Sequence, residues 1–140
     1  MQRTSIIITD KKLDLDACYN FVTDDSCGGI AAFIGTVRND TQGKEVLQLD
    51  FSTYKPMAIK EMQKIANKAL VKFDVQKIAI HHAIGMLHIG DIPVIITASS
   101  KHRKNAFMAC EFAIDTLKEI VPIWKKEYFT DGEVWVNAHP

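Results

Sequence analysis

The chain has little arginine, no net charge and no long apolar run. Of 17 lysines and arginines only Arg3, Arg38 and Arg103 are arginine. The planar guanidinium that grips phosphates and carboxylates bidentately is therefore available at few places. Basic and acidic residues balance at 17 each, which argues against a nucleic-acid backbone as the main partner, since such proteins carry a basic excess. Any anion must be met by a local cluster. The three cysteines, Cys18, Cys27 and Cys110, are odd in number, far apart and without C-x-x-C spacing, which points to reduced thiols and a cytoplasmic setting. The N-terminal apolar run is three isoleucines long, too short for a signal-peptide core, and no segment approaches the ~18 apolar residues of a membrane span. Repeats, low-complexity tracts and linkers are missing as well. What is left is an ordinary globular composition, 47% hydrophobic and 24% charged over 140 residues. That length is expected to form one domain, residues 1–140, with a sizeable core.

The pattern of apolar residues predicts an α+β fold with a mostly antiparallel sheet and two long helices. Ser5 to Thr9 reads as a β-branched strand and Leu13 to Val22 as a helix. Gly28 and Gly29 lead into IAAFIGTVRND, an apolar strand interrupted by Gly35. Val46 to Tyr54 alternates, and the two runs are expected to form an antiparallel pair across a loop containing Gly43. From Pro56 the period becomes helical, with Ala58, Met62, Ile65, Ala66 and Ala69 on one face and a Glu61–Lys64 pair on the surface. Lys77 to Ile84 and Ile92 to Ala98 read as strands, the second in a sheet centre, with GMLHIGD turning between them. His81 and His82 are adjacent and so face opposite sides of a strand. No further ligands stand at metal-site spacing, so they read as ordinary strand histidines and neither a metal nor a cofactor is expected.

The most informative stretch is Ser99 to Glu127, SSKHRKNAFMACEFAIDTLKEIVPIWKKE. Ser99 or Ser100 can cap a helix whose buried face carries Ala106, Phe107, Cys110, Ala113, Ile114 and Leu117, and Pro122 must end it near Val121. Short strands are expected on either side of Thr130, Asp131 and Gly132. Lys101, His102, Arg103 and Lys104 crowd the first turn, where the helix dipole disfavours cations. Exposed side chains can swing into water. An alternative is that an anion sits there, held by free N–H groups and Arg103. Lys118, Lys125 and Lys126 form a second group around Pro122 and Trp124, where a lysine can be tuned for acid, base or covalent work. His102 and Lys118 are sixteen residues apart, about 24 Å along a helix. One chain cannot easily bring both to a small ligand. The helix breaks, the clusters are unrelated, or a second copy of the chain supplies His102 and Arg103 to a shared site.

FIGTVRND with the following Gly43, then Tyr54, Met57 and Ala58, SSKHRKNAF, and IDTLKEIVPIWKKE followed by DGEVWV resemble, in order and spacing, the large catalytic subunit family of molybdopterin synthase. The resemblance covers roughly residues 28 to 137. It implies an α/β-hammerhead fold and a central homodimer with a small ubiquitin-like sulfur carrier at each end, a heterotetramer. It further implies that the carrier's C-terminal Gly-Gly thiocarboxylate donates sulfur to cyclic pyranopterin monophosphate, forming the dithiolene of molybdopterin. By motif, Lys118 and Lys125 are the catalytic lysines and Arg38 lies in the substrate pocket with Thr36 and Val37 beside it. His102 and Arg103 are drawn from the neighbouring subunit, and Lys126 and Glu127 continue the binding block. The chain departs from the family pattern at Ser52, where a glutamate is common, and at Ala83, where an arginine is common. Two other functions fit the residues without the resemblance. One is a dimeric scaffold that binds a peptide tail and an anion. The other is a Schiff-base lysine enzyme acting on a phosphorylated carbonyl compound.

Overall fold

A computed structural model describes residues 2–137 of the chain. The order of elements is β1 (Thr4–Thr9), α1 (Leu15–Val22), β2 (Gly29–Gly35), β3 (Asp40–Thr41), β4 (Lys44–Thr53), α2 (Lys55–Lys72), β5 (Lys77–Ala83), β6 (Gly85–His88), β7 (Val94–Ser100), α3 (Arg103–Ile120), β8 (Ile123–Phe129) and β9 (Gly132–Asn137). The class is α+β, with two 18-residue helices as the periodicity predicted. One sheet has the order β1-β5-β7-β2 and the other β3-β4-β8-β9, with β6 added to the free edge of β4. Among the described residues only β1 and β5 run parallel.

The first sheet is a sandwich filling. Helices α2 and α3 cover one face and α1 the other, so all seven residues of β7 are buried. This explains why its sequence, VIITASS, shows no alternation: a strand covered on both faces has no wet side. Met62, Ile65, Ile78, Ile80 and Ile96 are fully buried between α2 and this sheet or within it. Each such side chain stabilises the fold by about 1.5–3 kcal/mol relative to exposure. Helix α1 starts later than expected because the Asp14 side chain accepts from the Ala17 N–H at 3.2 Å, which makes Asp14 the cap. Among the described residues no helix is long and apolar enough to cross a membrane.

Four expectations are corrected. The runs beginning at Ile30 and Val46 do not pair: β2 pairs with β7, and β4 with β6 and β8. What β4 pairs across the Gly43 turn is the two-residue β3. GMLHIGD is not all turn, since its first four residues form β6. Ser99 and Ser100 do not cap α3; they are the last residues of β7, and His102 takes the cap position with no side-chain bond to the helix. Phe107 is 61% exposed, and Ala109 takes the place assigned to it on the buried face. A face at 3.6-residue period passes through 106, 109, 110, 113 and 117, so position 107 turns about 100° away from it.

Glycines decide how α3 meets the sheet. The Gly28 N–H donates to the carbonyls of Ser100 and Lys101 at 3.1 and 3.2 Å. A Cβ on Gly29 would lie 2.9 Å from the Arg103 Cα, inside contact distance with backbone that cannot swing away. The start of α3 is thereby pressed onto the start of β2. Gly29→Ala is expected to destabilise the protein by about 1–3 kcal/mol through this overpacking. An unchanged denaturant midpoint would contradict the close approach.

Candidate active site

A cavity of about 600 Å³ opens where the end of β2, the C-terminal half of α3 and the inner face of the second sheet meet. Its walls are apolar, from Phe33, Leu49, Phe51, Val94, Ile114, Leu117 and Ile123, and its charged groups are Arg38, Lys118, Lys125 and Glu127. Three cations face one carboxylate in a chain with no net charge. The arrangement suits a small anionic molecule with an apolar or planar body.

Local structure places each of these groups. Lys118 stands one turn beyond Ile114 on α3, at the margin of the buried face, and the helix stops just after it. The Val121 N–H still bonds the Leu117 carbonyl at 3.0 Å, and Pro122 then turns the chain into β8. The Thr53 hydroxyl donates to the Pro122 carbonyl at 2.5 Å, tying this corner to the end of β4. Along β8 the side chains alternate: Ile123, Lys125 and Glu127 line the cavity, opposite Thr53, Phe51 and Leu49 of β4. Lys125 Nζ lies 3.5 Å from Glu127 Oε1, and Glu127 is 5% exposed. A buried carboxylate needs such a partner. Among the described residues Arg38 and Lys118 make no ion pair, so both remain free to meet an anion.

Of the sequence-predicted residues, Thr36, Arg38, Lys118, Lys125 and Glu127 line the cavity. Val37 does not. Its side chain is buried, and its N–H and carbonyl bond Asp91 at 2.9 Å and Gly90 at 3.0 Å, so it anchors the segment carrying Thr36 and Arg38. Lys126 points to the opposite face of β8, where it pairs with Glu133 at 2.8 Å and lies over the Tyr128 and Trp135 rings. His102 and Arg103 are exposed at the far end of α3 and do not line this chain's cavity. The departures lie outside the lining as well: Ser52 is exposed and Ala83 buried at the end of β5.

The sequence reads His82 as an ordinary strand histidine, and the structure places it in the cavity wall. The two adjacent histidines do face opposite ways. His81 points under α1, between Ser5 Oγ at 2.9 Å and Cys18 Sγ at 3.1 Å. His82 lines the cavity, edge-on to Phe51 with ring centroids 5.5 Å apart, and its Nδ1 is 2.7 Å from the Ala83 carbonyl. Burial pushes His82 down to about 4 and lowers His81 as well. Desolvation also raises the thiols of Cys18 and Cys110, to about 11 and about 12, so neither is a ready nucleophile. No local pattern marks His82, because its importance arises from what β4 and β8 place across from it.

Fold and cavity define an α+β protein with a cationic, lysine-bearing pocket of enzyme type. The sequence places it more narrowly. The MoaE protein family model matches residues 8–120, and the chain belongs to that family. It is 47% identical over 132 residues to the molybdopterin synthase catalytic subunit of Dictyostelium discoideum, covering 93% of this chain and 84% of that protein. It is 42% identical to the Bacillus subtilis protein of the same name over 93% of this chain and 83% of the other. Among solved structures, molybdopterin synthase from Staphylococcus aureus superposes with a TM-score of 0.89 at 38% identity, over 98% of both chains. A complex of subunits 1 and 2 of the molybdopterin-converting factor from Helicobacter pylori superposes with a TM-score of 0.75 at 25% identity, over 95% of this chain and 89% of that one.

The buried histidines have a consequence for stability. In the unfolded chain each binds a proton near 6.5, whereas the folded state resists protonation. Their favourable contribution is present above pH 6.5 and is lost as pH falls from 6.5 toward about 4, where His82 itself titrates. The melting temperature is expected to drop across that window, and His82→Gln is expected to flatten the slope. A melting temperature that is level from pH 6.5 to 4 would contradict the burial.

Proposed function

We propose that the chain is the catalytic subunit of a molybdopterin synthase. It is a sulfurtransferase that moves sulfur from the C-terminal thiocarboxylate of a small ubiquitin-like carrier subunit to cyclic pyranopterin monophosphate, building the dithiolene of molybdopterin. The observation that carries this reading is the cavity where Arg38, Lys118 and Lys125 converge, in a chain whose relatives bear that name. The two-subunit Helicobacter pylori neighbour supports a carrier partner. The free thiols of Cys18, Cys27 and Cys110 support a cytoplasmic location.

The roles follow from charge and position. Arg38, exposed and unpaired at the cavity mouth, binds the substrate phosphate. The thiocarboxylate sulfur attacks an oxygen-bearing side-chain carbon of the pterin, so that a C–S bond and a thioester to the carrier form while that carbon's C–O bond breaks and the oxygen leaves protonated, as water. Water then cleaves the acyl C–S bond, so the carrier leaves as its carboxylate and sulfur stays on the substrate. Negative charge develops on the acyl oxygen in that step. Lys118 and Lys125 stabilise it, with Glu127 holding Lys125 in place at 3.5 Å. Thr36 adds a hydroxyl at the rim.

Strand β2 supports a homodimer that completes the site. It is the outer strand of the first sheet, and Ile30 and Ile34 are 39% and 38% exposed. Its first residue, Gly29, touches Arg103, and its last, Gly35, lines the cavity. Antiparallel pairing of two copies of β2 about Ala32 would set Gly29 of one copy beside Gly35 of the other. Six residues of strand span about 20 Å, close to the gap of about 24 Å between His102 and Lys118 along α3. The partner's His102 and the partner's Arg103 would then reach this chain's cavity.

With thiocarboxylated carrier and pyranopterin, Lys118→Ala is expected to lose about 10²–10³-fold in turnover, the usual effect of deleting a group that stabilises developing charge. A non-catalytic scaffold would form no dithiolene product even as wild type. Mixing inactive Lys118→Ala and Arg103→Ala subunits is expected to restore roughly a quarter of wild-type activity, because half the dimers would hold one intact site built across the interface. Restoration would be absent if both residues served one chain's site.

A further inference from the structure

His82 is the one titratable side chain lining the cavity that the proposed mechanism leaves without a task. A carbonyl oxygen can only accept, so the 2.7 Å contact to the Ala83 carbonyl requires the proton on Nδ1. Nε2 is therefore the bare nitrogen, a hydrogen-bond acceptor. It has no partner among the described residues, yet it is not sealed in the core: the one buried side-chain polar atom without a partner there is Ser99 Oγ. For a residue 4% exposed that lines the cavity, the remaining accessible direction is the cavity itself. The ring is held edge-on by Phe51, and the backbone of His82 lies in register with Val94 of the neighbouring strand. A neutral acceptor is thus fixed in an apolar wall.

We propose that His82 is a specificity-determining residue: its Nε2 accepts a hydrogen bond from an N–H of the heterocyclic substrate bound against the inner wall of the cavity. The chemistry of the lining leaves this position for an acceptor. Arg38, Lys118 and Lys125 can only donate, the carboxylate of Glu127 is engaged by Lys125, and the Thr36 and Thr41 hydroxyls both donate and accept, which leaves His82 Nε2 as the lining's one side-chain nitrogen that only accepts. A pterin ring presents N–H and amino donors that need acceptors as well as a phosphate that needs cations. Desolvation keeps His82 uncharged at neutral pH, so it neither competes for the phosphate nor serves as a strong base. The pterin as donor rests on the function proposed above; the tautomer and the open Nε2 do not.

The test uses the full chain labelled with ¹⁵N-histidine and two variants. His82→Asn keeps an amide N–H for the Ala83 carbonyl but removes the acceptor; His82→Gln places an amide oxygen near the position of Nε2. In the free protein the His82 Nε2 resonance, assigned by its loss in His82→Gln, is expected at the unprotonated position, and saturating pyranopterin is expected to move it upfield. His82→Asn should raise KM for the pterin by about tenfold to a hundredfold, with kcat and the KM for the carrier changed far less. His82→Gln should recover most of that loss. If the wild type turns over while its His82 signal ignores the pterin, or if His82→Asn keeps the wild-type KM, the role of His82 is wrong and the function stands. A wild type that makes no product and shows no pterin-dependent shift removes both.

Discussion

An α-helix of eighteen residues is a rigid rod, and in this protein its two ends carry cations that cannot meet within one chain. Helix α3 is held along its length by Ala106, Ala109, Cys110, Ala113, Ile114 and Leu117, pressed at its start onto Gly29 and stopped at its end by Pro122. Neither end has freedom to approach the other. Lys118 is committed to the cavity, and His102 and Arg103 to a surface six positions away along β2, the separation of Gly29 and Gly35. The lack of acidic residues in the first turn of α3 leaves that cationic end electrostatically unsatisfied in the isolated chain, as expected of a group whose counter-ion arrives with another molecule.

The second constraint is that the cavity forms between layers and not within one. Its charged side chains come from three elements: the segment after β2, the last turn of α3 and the inner face of β8. The two sheets share no strand pairing among the described residues, so the space between them is filled by side chains, and small differences in their chemistry set what can enter. Apolar walls strengthen the few polar interactions that remain, because they exclude water from them. Val37 shows how the fold supports the site without touching it: two backbone hydrogen bonds to the loop before β7 hold Thr36 and Arg38 at the rim.

Much of this was legible in the sequence, and the reasons differ by residue. The helices were readable because 3.6-residue periodicity is a local property, and the end of α3 because a proline cannot continue a helix. Thr36, Arg38, Lys118, Lys125 and Glu127 were named from motifs, and the structure gathers them around one cavity. Pairing was less legible. The run after Gly28 and the alternating run after Gly43 looked like a hairpin because they are adjacent in the chain, yet β2 finds its partner more than sixty residues away in β7. Lys126 was read as part of a continuous binding block, but a strand sends neighbouring side chains to opposite faces, and only Lys125 and Glu127 turn inward.

By itself the sequence determined where the helices and most of the strands lie, which residues are cations in an otherwise balanced chain, and which family the chain belongs to, since these depend on local order and spacing. Tertiary structure alone decided which strands are neighbours, which face of β8 meets the cavity, and that His82, by sequence an ordinary strand histidine, stands in its wall with one nitrogen tied and the other open. The reason is physical. Periodicity reports a residue's relation to its own element, whereas a site is made by elements brought together through burial, and the pairing that creates it is written across the whole chain.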